Sequence, residues 1–79
     1  MTSFLMVVPP GWIELDNATA FVEHYNESSI LNSIQQNETG TLDGMVEEWG
    51  QLPAGFTLAE MRLFREGNEF RVWFRVIPF

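Results

Sequence analysis

The chain has 79 residues, no cysteine, one histidine and a formal net charge of −7, with 46% apolar and 14% aromatic residues. A chain this short makes one domain, residues 1–79, and buries only about 60–65% of its unfolded surface. Disulfides are excluded and His24 alone cannot build a zinc site, so no metal or cofactor is expected to reinforce the core, and oligomerisation or docking onto a larger protein takes that role.

The charge is unevenly spread. Glu14, Asp16, Glu23, Glu27, Glu38, Asp43, Glu47 and Glu48 stand in residues 1–59 without a single Lys or Arg, and Arg62, Arg65, Arg71 and Arg75 all follow. An acidic chain repels phosphate backbones, so direct nucleic-acid binding is disfavoured. The N-terminus lacks a basic region and its apolar run is short for a signal peptide, and nothing approaches a membrane span, so the chain is expected to be cytoplasmic at synthesis, with no membrane partner.

In chain order, Phe4 to Val8 (FLMVV) reads as a strand covered on both faces, ended by Pro9, Pro10 and Gly11. Trp12, Ile13 and Leu15 fit a short extended segment closing over the core. Asp16 or Asn17 is placed to cap a helix from Ala18 to about Tyr25, with Ala18, Phe21, Val22 and Tyr25 on one face. Ser28 or Ser29 is placed to cap a second helix through Gln36, with Ile30, Leu31 and Ile34 inward; a single kinked helix is the alternative. Residues 37–41 read as loop. Leu42, Met45, Val46 and Trp49 then recur at helical spacing, with Gly50 as a left-handed terminator.

Residues 57–77, TLAEMRLFREGNEFRVWFRVI, read as a β-hairpin around a two-residue loop of Gly67 and Asn68. That loop sets Glu66 opposite Glu69, Leu63 opposite Val72 and Met61 opposite Phe74. One face collects Ala59, Met61, Leu63, Phe70, Val72, Phe74 and Val76 as core; the other collects Glu60, Arg62, Phe64, Arg71, Trp73 and Arg75 as a contact surface. A rival remains open for 57–66: Thr57 and Glu60 match a capping box, and LAEMRLFRE is rich in helix formers. The expected fold is α+β, with an N-terminal strand, two or three short helices and a C-terminal β-hairpin forming a small three-stranded sheet. In its core Phe21, Val22, Ile30, Ile34, Met45 and Trp49 meet Met61, Val72 and Phe74.

No motif carries catalysis. His24 lacks a partnered nucleophile, adjacent Glu47 and Glu48 diverge by about 100° on a helix, and neither a P-loop nor a dinucleotide fingerprint occurs. Three N-x-S/T sequons at Asn17, Asn26 and Asn37 read as caps and turns. Interleaved Arg and aromatic side chains on the outer face of the hairpin are the types enriched at interface hot spots; the alternative is a solvated face satisfied within itself.

The opening MTSFLMVVPPGWIEL and the ending LFREGNEFRVWFRVIPF together resemble small proteins encoded in the structural gene blocks of tailed bacteriophages, particularly those infecting actinobacteria. The likeness lies in size, acidity and hairpin texture, and no residue in it is diagnostic. It implies a non-enzymatic virion component, a head-to-tail connector or neck subunit that binds copies of itself and neighbouring subunits. The alternative expectation is a small acidic cytosolic inhibitor, of the immunity or antitoxin kind, whose acid-rich half covers a basic enzyme surface.

Overall fold

The computed structural model describes residues 7–79. In chain order it contains strand β1 (Ile13–Glu14), helices α1 (Ala18–Tyr25), α2 (Glu27–Gln35) and α3 (Thr39–Glu48), and strands β2 (Phe56–Glu66) and β3 (Glu69–Pro78). The fold is α+β, with the strands forming one antiparallel sheet in the order β1-β3-β2. Of the strand expected over 4–8, residues 4–6 lie outside the described residues, and Val7 and Val8 carry no strand. The N-terminal strand is instead Ile13–Glu14, from the segment expected to close over the core.

Between strand and helix for 57–66, tertiary pairing outweighs local helix propensity, because these residues form a ladder with the strongly β-forming 69–78. From the loop back to Glu60 the pairing is the expected one: Glu66 with Glu69, Phe64 with Arg71, Leu63 with Val72, Arg62 with Trp73, Met61 with Phe74 and Glu60 with Arg75. Gly67 at φ 63° takes the first central position and Asn68 keeps a negative φ, the type II′ turn whose twist matches the strands.

Beyond Glu60 the register slips. A bulge sets Leu58 opposite Val76, so Leu58, at 3% exposure, is the core residue and the expected Ala59 is left half-buried. The slip is pinned from α3: the Asp43 carboxylate accepts from the Leu58 backbone N–H at 2.9 Å and from the Thr57 hydroxyl at 3.0 Å. Asp43→Ala should cost about 1.5–3 kcal/mol, the worth of hydrogen bonds to a charged acceptor, read as a lower denaturant midpoint at unchanged m-value.

The helices cover one face of the sheet, where Phe21, Val22, Ile30, Leu42 and Val46 bury against Leu58, Met61, Val72 and Phe74. Ile34, Met45 and Trp49 pack around them, partly buried. Leu31, expected inward, is 43% exposed, and Ser33 is buried in its stead with its hydroxyl on Glu38 at 3.2 Å. The reason is angular: Ile30 and Ile34 share a face at i, i+4, and Leu31 lies about 100° around from Ile30.

The three sequon asparagines sit at the helix junctions, all with positive φ: Asn17 at 56°, Asn26 at 77° and Asn37 at 57°. Asn17 occupies the N-cap of α1 but makes no side-chain cap bond. Asn26 ends α1 and starts α2, its side chain accepting from the Ser28 N–H at 3.0 Å, which makes two helices of the segment and moves the cap from the expected Ser28 or Ser29. Asn37 closes α2, with the N–H groups of Asn37 and Glu38 donating to the Ile34 and Ser33 carbonyls. That compact stop lets α3 begin at Thr39, inside the stretch expected as loop. Gly50, at φ 84°, ends α3 the same way, with Gly50 and Gln51 donating to Glu47 and Val46.

Candidate protein-interaction surface

The sheet face opposite the helices carries the six residues expected to form a contact surface, joined by two that the sequence pattern did not single out, Trp12 and Glu14. β1 brings both. Glu14 stands beside Trp73 in the ladder and accepts from Arg71 Nε at 2.6 Å. Trp12 lies under two guanidinium groups, with Arg62 5.0 Å and Arg75 5.9 Å from its ring centroid. Only the pairing of β1 with β3 places them there, so period-2 alternation within the hairpin carried no sign of either.

Glu60 is shared by Arg75, at 3.2 Å, and Arg62, at 3.4 Å. Phe64 packs its ring 4.6 Å from that of Trp73, and the Arg71 guanidinium lies 5.7 Å from the same indole. The structure thus brings all six expected residues together on one face, but it corrects the role of one of them. Trp73 is only 6% exposed, so it is a second-face core residue rather than an accessible anchor. β3 is the central strand, and its neighbours on both sides supply cover that an alternating pattern in a two-stranded hairpin would lack. Among the described residues its buried indole N–H has no hydrogen-bond partner. The accessible members are Arg62, whose side chain is 57% exposed, and Arg75 and Glu60 at 41% and 40%, with Phe64 half-buried between them and Trp73.

Electrostatically this face is largely neutralised from within. The Arg71 hydrogen bond holds the Glu14 carboxyl below the usual carboxylate range, so the pair stabilises the fold above that range and is lost as pH falls through the lowered value. The helices present the opposite balance. Glu23, Glu27 and Glu47 make no ion pair or hydrogen bond among the described residues, whereas Asp43, Glu38 and Glu48 are engaged by Thr57, Ser33 and Tyr25.

His24 is exposed, its ring edge-on to Tyr25 and tilted against Trp49, at centroid separations of 4.5 and 5.8 Å. No group of His, Asp and Glu able to hold a metal ion occurs among the described residues, and no helix among them is long and apolar enough to cross a membrane. Tyr25 donates its hydroxyl proton to Glu48, and desolvation together with that carboxylate pushes its pKa up to about 12. The unfolded phenol titrates near 10, so this contribution to stability is complete below about pH 10 and disappears as pH rises toward about 12. Tyr25 is the single tyrosine, so tyrosinate absorbance should show one alkaline midpoint near 12, moving toward 10 in Glu48→Gln.

Compared with protein-family models, curated proteins and solved structures, the chain matches none.

Proposed function

We propose that this chain is a non-enzymatic assembly protein that works by protein–protein contact, concretely a head-to-tail connector or neck subunit of a tailed bacteriophage. It binds copies of itself and a neighbouring subunit through the β-hairpin. The observation that carries the proposal is the character of β2: an eleven-residue strand at the margin of the sheet, with Arg62 and Phe64 side by side on the outer face and Arg75, opposite Glu60, diagonal to Arg62. Arg and aromatic side chains supply the anchors typical of interfaces, and a strand already ordered within the sheet adds no backbone ordering cost on docking. Tagged chain produced during phage growth should co-sediment with purified particles, and Arg62→Glu with Arg75→Glu should release it with the fold intact. Absence of the wild-type chain from particles would overturn the proposal.

A second reading is favoured by the uncommitted carboxylates of Glu23, Glu27 and Glu47: an acidic inhibitor covering a basic enzyme surface through the helices. Glu23→Lys with Glu47→Lys separates the two. It abolishes binding under the inhibitor reading and leaves particle association unchanged under the assembly reading.

A further inference from the structure

In an antiparallel strand the backbone groups of alternate residues point to opposite neighbours, and the closing pair of a two-residue hairpin is a hydrogen-bonded one. Glu66 and Glu69 are that pair here, so Phe64, Arg62 and Glu60 also direct their N–H and C=O groups toward β3. The other edge of β3 agrees with this parity: the Val72 carbonyl accepts from the Leu15 N–H at 2.8 Å, and the Phe70 N–H donates to the Thr19 hydroxyl at 2.9 Å. Met61, Leu63 and Arg65 therefore aim their backbone groups away from the sheet. The same edge is closed at Leu58 by Asp43, but among the described residues nothing bonds the backbone of Met61, Leu63 or Arg65 there. A run of open amides on a well-formed strand is a template for another strand.

We propose that this edge pairs with the same edge of a second copy of the chain, antiparallel across a two-fold axis at Phe64, to make a continuous six-stranded sheet. The inference rests on the assembly reading and names its self-contact. The occupant follows from the outer-face sequence Arg62, Phe64, Glu66, which is self-complementary when read against its own reverse. Centred on Phe64, the register sets Arg62 of each copy opposite Glu66 of the other, the two Phe64 rings against each other, and Leu63 opposite Arg65 in hydrogen-bonded pairs. A shift of one pairing step in either direction sets Glu60 against Glu66 or Arg65 against its own copy, like charges that destabilise a cross-strand pair. The two-fold axis is perpendicular to the sheet, so both helical layers fall on one side and the two arginine-bearing faces join on the other.

Light scattering on size-exclusion fractions of the full chain should give twice the monomer mass. Arg62→Glu alone and Glu66→Arg alone each place like charges at both symmetry-related pairs and should weaken the dimer by about tenfold or more. An equimolar mixture of the two variants restores opposite charges at every pair and should recover the dimer, a result that misfolding of either variant would not give. Arg65→Pro removes an edge amide that bonds nothing within the sheet, and it too should yield monomer with unchanged circular dichroism. A wild type that is monomeric throughout, single charge variants that stay dimeric, or a mixture that stays monomeric would each overturn the interface. A monomer that still co-sediments with particles refutes this contact and leaves the assembly reading standing; a dimer absent from particles does the reverse.

Discussion

Phe74→Ala should be the most damaging single substitution in this chain, lowering stability by about 3–5 kcal/mol. Phe74 has no exposed surface and lies in the central strand, with Ile13 beside it on β1 and Met61 on β2, directly beneath the helices. Removing its ring deletes a packing partner of all three strands at once and opens a void that the surrounding sheet, held by ladder bonds on both sides, cannot close. A domain of this size has about 4–12 kcal/mol in total, so the variant should melt about 15–30 °C lower, with a large part of the margin gone. Thermal denaturation followed by circular dichroism checks this. A shift of only a few degrees would mean that the sheet is not organised around Phe74.

Trp73→Ala is expected to cost a similar ~3–5 kcal/mol, because the indole is buried on the second face of the same strand under Phe64 and Arg71. Trp73→Phe should cost far less. Phenylalanine keeps most of the contact with Phe64, and it removes a buried N–H that has no partner among the described residues, a group whose desolvation costs about 1–3 kcal/mol. Urea titration of the two variants should therefore separate them clearly, with Trp73→Phe close to wild type. Equal midpoints for the two would show that the aromatic contact with Phe64 contributes little. These variants test stability rather than docking, which is why the accessible Arg62 and Arg75 carry the association experiments.

Much of the architecture is legible in the amino-acid order because it depends on local chemistry. Gly67 followed by Asn68 selects a two-residue turn, and that turn alone aligns Glu66 with Glu69 and every pair back to Glu60 with Arg75. Helices α1 and α3 announce themselves through apolar recurrence at three- and four-residue spacing, and Gly50 stops α3 because it adopts φ 84° without a Cβ penalty. The asparagines at 17, 26 and 37 read as caps and turns for the same reason, their short polar side chains tolerating the left-handed region.

What remained hidden depends on contacts between segments far apart in the chain. The bulge at Leu58 exists because Asp43, on a different element, captures its N–H; alternation along the strand predicts Ala59 instead. Helix propensity over 57–66 was a fair local signal, and only pairing with β3 overrules it. On the candidate surface, periodicity placed Glu60, Arg62, Phe64, Arg71, Trp73 and Arg75 on one face, as found, but exposure is a property of neighbours. β1, two residues long and without a distinctive pattern, makes β3 central, delivers Glu14 to Arg71 and sets Trp12 under Arg62 and Arg75.

By itself, then, the sequence determined the turn at Gly67 and Asn68, the register a hairpin would take back to Glu60, the inward faces of α1 and α3 and the segregation of acid from arginine, all consequences of backbone stereochemistry and short-range spacing. The tertiary structure alone decided which strand is central, that Trp73 is core rather than surface, and that the backbone along Met61 to Arg65 bonds nothing on its outer side among the described residues. Those outcomes follow from long-range pairing, because a strand's burial and its open hydrogen bonds are set by what lies on each side of it.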